Sequence, residues 1–125
     1  MNRNVLYIAK PRGDELRGTN QSDKRKDETV KVNNKNLKFG KAQDIEIRGK
    51  QYTKDVGDTD LKAIVCDDDY KLIEQLEKNI LKVVDKYRMI SPKNRKLEWL
   101  ERISYEKLED IVREEHRKLK ASGDQ

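Results

Sequence analysis

The segment from Asp67 to Ile90 constrains the fold more than any other part of the chain, because it alone is both long and strongly periodic. Its apolar side chains recur at spacings of three and four residues, which places them on one side of an α-helix. Three aspartates open the segment and cations close it, as the dipole of a helix favours. The pattern predicts a helix from about 68 to 89 with a buried side formed by Ile73, Leu76, Ile80, Val83 and Tyr87.

The residues at the beginning of the chain predict one strand and one loop. Val5–Ala9 is rich in β-branched and aromatic residues, which indicates a strand that docks against the rest of the protein. Residues 10–28 contain a single aliphatic side chain, Leu16, among glycines and polar and charged residues. That composition predicts a mobile loop or linker.

Two similar stretches follow, at 30–37 and 45–52. Each has an apolar, a charged and an apolar residue followed by residues that suit a tight turn, so each predicts a β-hairpin. The stretch from Leu61 to Cys66 is predicted to be the last strand before the long helix.

The residues after the long helix predict two more helices. Ser91-Pro92 suits a helix start, because serine can cap the first turn and proline needs no hydrogen bond there. The first of these helices would be a short amphipathic one formed by Leu97, Leu100 and Ile103 with Trp99, and the second would begin at Ser104.

The predicted fold class is therefore α+β, with a small antiparallel β meander followed by one long and two shorter C-terminal helices. A single small domain is expected over 1–125, with a β-rich part at 29–66 and a helical part at 67–121. The alternative is two loosely coupled units, one of strands and one of three helices.

The charge is unevenly distributed along the chain. The net charge is +5, and all of this excess lies in residues 1–66, which hold 15 Lys or Arg and 10 Asp or Glu. A polyanionic partner is therefore permitted.

A single cysteine, Cys66, fits a reducing compartment, and no signal peptide or membrane-spanning stretch is apparent, so a cytoplasmic protein without a membrane partner is expected. The many Lys, Asn, Ile and Asp residues resemble the usage of AT-rich phage and mobile-element genomes.

No motif predicts catalysis. His116 is the only histidine, so neither a histidine-rich metal site nor an oriented catalytic histidine is expected. The run Asp67–Asp69 is interpreted as a helix start, with a carboxylate metal site as the less favoured alternative. A glycine-rich phosphate loop and zinc-type spacing are both missing from the sequence. The sequence therefore predicts a protein that is not an enzyme and has no metal or cofactor.

A cluster of cations is the strongest binding signal. It lies at the predicted junction of two helices, where free N–H groups would add to its attraction for phosphate. We call this cluster the basic elbow; it consists of Lys86, Arg88, Lys93, Arg95 and Lys96. A stripe of lysines on the long helix, Lys71, Lys78, Lys82 and Lys86, would lie opposite its apolar side. The alternative is that both are ordinary solvated surface.

Two functions are compatible with these features. The first is a non-enzymatic accessory or regulatory protein, of the kind phages encode, that binds nucleic acid through the basic elbow. The second is an adaptor or inhibitor that binds a protein through edge strands or through Tyr70, Leu81 and Trp99. The sequence does not set the oligomeric state.

Overall fold

The computed structural model of the chain describes residues 4–13, 16–19, 29–91 and 94–123. It confirms the predicted α+β class. The elements in chain order are β1 (Asn4–Pro11), β2 (Leu16–Thr19), β3 (Thr29–Val32), β4 (Lys38–Ala42), α1 (Ile45–Asp55), β5 (Thr59–Asp67), α2 (Tyr70–Val84), a 3₁₀ turn (Asp85–Tyr87), β6 (Arg88–Ile90), β7 (Lys96–Leu100) and α3 (Tyr105–Gly123). No helix of the described residues is long and apolar enough to cross a membrane.

The first strand lies at the centre of the main sheet. That sheet is antiparallel with the order β4-β1-β5, so β1 has a partner on each side. Leu6 and Ile8 pack towards α2 and α3, whereas Tyr7 and its neighbours on the same face pack towards α1 and β7. Because both faces of the strand are covered, its residues are apolar without alternation. The predicted docking of Val5–Ala9 is confirmed.

The helix predicted from about 68 to 89 forms the core as α2, but its end and two of its positions are corrected. It ends at Val84, and Tyr87 lies in the 3₁₀ turn and is only partly buried. Ile73, Leu76 and Ile80 are fully buried, but Val83 is 42% exposed and Val84 takes its place in the core. Val84 continues the spacing of four from Ile80. Asp69 caps the first turn by accepting hydrogen bonds from two backbone N–H groups, as the aspartate run predicted.

The second predicted hairpin, at 45–52, is wrong, because these residues belong to helix α1. The side chain of Asp44 accepts from the backbone N–H groups of Glu46 and Ile47 at 3.0 and 3.3 Å, which fixes the helix start. Tyr52 and Val56, four residues apart, are buried on its inner side. The alternation in Ile45–Ile47 is too short to outweigh a good N-cap.

The first predicted hairpin, at 30–37, has its turn in the right place but the wrong pairing. β3 pairs with β2, and Leu37 pairs instead with Leu100 of β7. The predicted loop at 10–28 is also corrected in part. β2 forms within it, and β1 extends into it as far as Pro11. Residues 14–15 and 20–28 lie outside the described residues, so the mobility of that segment stays a prediction.

The short helix predicted around Trp99 is wrong, because β6 and β7 form a hairpin there. Leu97 and Trp99, two residues apart, enter the core on the α1 side of the sheet, while Leu100 enters the core under α2. This alternation is the period of a strand. The last helix was predicted correctly, since Ser104 accepts from the N–H of Lys107 at 3.1 Å and α3 continues to Gly123.

Candidate functional site

The basic elbow is a hairpin rather than a junction of two helices. No helix begins within its described part, so the free N–H groups expected at a helix start are not present there. Arg88 has a side chain that is only 19% exposed, and its guanidinium donates to the carbonyls of Leu97 at 2.7 Å and Lys96 at 3.3 Å. Arg88 therefore ties β6 to β7.

The remaining cations of the basic elbow are in varied surroundings. Lys96 forms an ion pair with Asp85, which also pairs with Arg88, so two cations of the elbow share one carboxylate just before it. Lys86 lies over the ring of Tyr87. Arg95 is half-buried, and Lys93 lies outside the described residues. Phosphate binding by Lys86, Arg88, Lys93, Arg95 and Lys96 stays a prediction, although Arg88 has an evident structural task.

The three residues expected to bind a protein partner lie in three different environments. Tyr70 is 43% exposed at the start of α2, with the ammonium of Lys41 5.7 Å from its ring centre. Leu81 is partly buried and borders a small groove beside Phe39. Trp99 is 1% exposed, because its ring is enclosed by the core on the α1 side. Its assignment to a contact surface is corrected accordingly.

A pair of buried tyrosines lies between β1 and α1. The hydroxyl oxygens of Tyr7 and Tyr52 are 2.9 Å apart, and the two rings meet edge to face at a centroid distance of 5.9 Å. Trp99 packs edge-on against the other side of Tyr52. One hydroxyl donates to the other, so one O–H of the pair has no partner within the pair.

Glycine at position 40 makes room for this pair. Gly40 lies directly opposite Tyr7 in the β1–β4 ladder. A Cβ atom at this position would lie 2.7 Å from the hydroxyl oxygen of Tyr7 and 2.9 Å from the adjacent ring carbon. The glycine is therefore required by the close approach of the tyrosine.

Burial and the neighbouring charges shift the pKa values of the two tyrosines. Burial raises the pKa of Tyr7, while the hydrogen bond from Tyr52 and the charge of Arg48 lower it. The pKa of Tyr52 is raised by its burial and then by Tyr7, with Arg48 again opposing. Both hydroxyls are therefore protonated at neutral pH, and the one that does not donate within the pair is available as a hydrogen-bond donor. The negative charge of Glu77 also raises the pKa of Tyr7.

Strand β4 carries two lysines that bind acidic side chains on opposite faces. Lys41 reaches α2, where its ammonium lies 3.3 Å from Glu77 and 3.8 Å from Glu74. Partial burial is the largest single effect and lowers the pKa of Lys41, but Glu77, Tyr70 and Glu74 together raise it, and the net shift is upward. Lys38 forms an ion pair with Glu98 of β7 at 3.1 Å.

An open cleft lies between the beginning of α1 and the beginning of α2, at the end of β4. Its volume is about 340 Å³. We call it the β4 cleft; among the residues lining it are Asn4, Lys41, Ile47, Arg48, Gln51 and Tyr70. Ile47 and Tyr70 are among the few large apolar side chains of the described residues that are well exposed. The cleft thus combines cations, amides and exposed apolar surface with one carboxylate, that of the α1 cap Asp44.

Arg48 is the central cation of the β4 cleft. It is half-buried one helical turn before Tyr52, and it forms no ion pair with any described residue. A partly desolvated guanidinium without a carboxylate is costly, and an anionic ligand would remove that cost. The arrangement can therefore bind a phosphate group, with Lys41 beside it.

Sequence reasoning missed this cleft for two reasons. The stretch around Arg48 was assigned to a hairpin, which hid the helical spacing of four between Arg48 and Tyr52. Tyr7 and Tyr52 are 45 positions apart in the chain and no local pattern predicts their contact. The sequence signal that could have predicted helix α1 is Asp44, a good N-cap residue directly before Ile45.

His116 occupies a partly buried position near the end of β5, which is the edge strand on the other side of β1 from β4. Burial lowers its pKa, as does Lys120, while Asp67 opposes them. The carboxylate of Asp67 accepts from the backbone of Asp69 and pairs with Lys120 at 3.3 Å. Within the described residues, no group of three or more His, Cys, Asp and Glu side chains is placed to hold a metal ion.

The fold and the cleft define a small basic α+β protein with a site suited to anions. The chain belongs to the T5orf172 domain family, whose model matches residues 5–116. Domains of this family occur in phage and mobile-element proteins, which is compatible with an accessory or nucleic-acid-related role. Neither the curated proteins nor the solved structures compared with the chain include a significant match.

Proposed function

We propose that this protein binds nucleic acid and that the β4 cleft takes part of the nucleic-acid backbone. The observation that supports this most is Arg48, a half-buried guanidinium in an open cleft with no ion pair among the described residues. Guanidinium groups bind phosphate with two parallel hydrogen bonds, which suits a fixed and partly desolvated position.

Lys41 would act as the second phosphate contact. Its pairs with Glu74 and Glu77 are partly exposed, and exposed ion pairs contribute only about 0–1 kcal/mol. The ammonium can therefore exchange a carboxylate for a phosphate at small cost. The ammonium of Lys41 is close to both glutamates and lies 5.7 Å from the ring centre of Tyr70.

Tyr70 would supply the contact to a base. Its ring is well exposed at the edge of the cleft, and Ile47 adds apolar surface on the opposite wall. Stacking of a base on an aromatic ring contributes about 1–3 kcal/mol and tolerates any sequence. The expected binding is therefore sequence-tolerant and sensitive to salt.

The test is a fluorescence-anisotropy titration of labelled single strands and duplexes at two salt concentrations. Arg48→Ala should weaken binding on the order of tenfold, the scale of one charge-assisted hydrogen bond. It should also reduce the slope of log affinity against log salt by about 0.9 for a duplex. Arg113→Ala is the matched control, because Arg113 is an exposed arginine of α3 paired with Glu109. Equal losses in the two variants would contradict a role for the cleft.

Hydrolysis of the phosphodiester backbone is a second candidate function. The observation that favours it is the protonated hydroxyl pair of Tyr7 and Tyr52 beside Arg48, with Glu77 close enough to act on Tyr7 by its charge. Tyrosine hydroxyls can take part in proton transfer, and Mg²⁺ often binds one carboxylate together with substrate phosphates. A non-enzymatic protein remains the first proposal, because the sequence contains no recognisable catalytic motif.

A plasmid-nicking assay with added Mg²⁺ separates the two candidates. Nicking by the wild type that is lost in Tyr7→Phe and in Glu77→Gln, while Arg113→Ala retains it, would favour hydrolysis. Binding without nicking would favour the non-enzymatic proposal. A protein partner bound through Tyr70 and Leu81 stays a separate prediction, which Leu81→Asp would test in a binding assay with the purified partner.

A further inference from the structure

The charges of α2 are divided between two sides of the helix. Its two acidic residues, Glu74 and Glu77, point to β4 and share the ammonium of Lys41. Its three lysines, Lys71, Lys78 and Lys82, are exposed. None of the three forms an ion pair with a described residue, although Glu74 lies only three and four positions from Lys71 and Lys78. The acidic side of α2 therefore faces Lys41 of the sheet, and the lysines of α2 face solvent.

We call these three residues, Lys71, Lys78 and Lys82, the lysine row. At 100° per residue their directions fall within about 40° of each other around the helix axis. At 1.5 Å per residue the row is about 16 Å long, which matches about five steps along a duplex at 3.4 Å each. A rigid helix thus holds three cations in a line on the length scale of a duplex backbone.

Each end of the lysine row continues into another group of cations. Tyr70 and Lys41 of the β4 cleft lie at the beginning of α2. Beyond its end, the ammonium groups of Lys86 and Lys107 lie 5.3 and 5.2 Å from the ring centre of Tyr87, and Lys107 donates to the Tyr87 hydroxyl at 2.8 Å. The row therefore runs along α2 from the turn that carries Tyr70 to the turn that leads into a second basic cluster.

We propose that the lysine row is a separate binding surface for the phosphates of a nucleic-acid duplex that also contacts the β4 cleft. The inference rests on the proposed function. The row contains no aromatic side chain, whereas surfaces for single strands combine cations with stacking rings. Contacts made by lysines alone neutralise phosphates without reading bases. The row therefore favours a duplex backbone and adds affinity without sequence preference.

The test compares two probes with two triple variants. One probe is a short single strand that fills only the cleft, and the other is a duplex of about two helical turns. The first variant is Lys71→Gln, Lys78→Gln and Lys82→Gln. The control is Arg113→Gln, Arg117→Gln and Lys118→Gln, which removes the same charge from three cations of α3 that are paired with acidic residues.

For the lysine-row variant, the slope of log affinity against log salt should fall by about 2.7 with the duplex, which is three contacts of 0.9 each. Its binding of the short strand should not change. The inference is overturned if the duplex slope stays at the wild-type value, or if the control variant lowers it equally. If Arg48→Ala removes binding of the short strand but the lysine-row variant leaves binding of the duplex unchanged, only the proposal for the lysine row is refuted. Failure of the wild type to bind either probe would refute both proposals.

Discussion

Replacement of Gly40 by alanine tests the tyrosine pair most sharply. The new methyl group would lie 2.7 Å from the Tyr7 hydroxyl oxygen, and two ring carbons would lie 2.9 and 3.2 Å away. The ring is 3% exposed and close-packed, so it cannot retreat without moving its neighbours. Overpacking of this kind costs about 1–3 kcal/mol.

Displacement of the Tyr7 ring would also break its hydrogen bond to Tyr52. A buried hydroxyl without a partner costs about 1–3 kcal/mol, so the total loss for Gly40→Ala should exceed about 1 kcal/mol. Urea unfolding followed by circular dichroism would measure this loss as a lower midpoint at constant slope.

The chain offers a matched control for this substitution in Gly49. Gly49 lies within α1, and a Cβ atom there would meet nothing within 4 Å. Alanine should therefore stabilise the protein by about 0.5–1 kcal/mol, because it is the better helix former. A Gly40→Ala variant as stable as the wild type, or equal to Gly49→Ala, would refute the argument that the tyrosine requires glycine at this position.

Two further predictions concern α2 and the hairpin after it. Ile80→Ala should cost about 2–5 kcal/mol in urea unfolding, while Val83→Ala should cost under about 1 kcal/mol, because only the first is fully buried; equal costs would contradict the placement of the helix. The hydrogen bond from Lys96, then the charges of Lys96 and Arg88, hold the pKa of Asp85 below its ordinary value of about 4. Its stabilisation is therefore present above that pH and is lost as the pH falls through the lowered pKa, so Asp85→Asn should be the less stable protein at neutral pH and should match the wild type in strong acid. A difference that persists in acid would contradict this linkage.

The sequence predicted α2 well because its signal is local and repeated. Five apolar positions, a capping aspartate and closing cations all indicate one helix. The errors lie at its C-terminal end, where Val84 rather than Val83 is buried and the α-helix stops before Tyr87. The cap at Ser104 was equally local. Agreement among independent local signals of this kind makes an element predictable.

The elements that were predicted wrongly could not be predicted from local signals alone. β7 contains Leu97, Trp99 and Leu100, which suit a strand or a short helix, and the strand is selected by pairing with β6 and with Leu37. The β4 cleft depends on contacts across long stretches of chain, such as Tyr7 with Tyr52. A short apolar run leaves the choice between helix and strand to tertiary structure.

The most direct test of the central proposal is to map binding by NMR. Chemical-shift changes of the backbone amides would be followed while a short unlabelled single strand is added at low salt. The β4 cleft predicts changes concentrated at Lys41, Arg48, Gln51 and Tyr70, with those of the hairpin β6–β7 small. Changes confined to the basic elbow, at Lys86 and Lys96, would contradict the cleft and restore the elbow as the phosphate site.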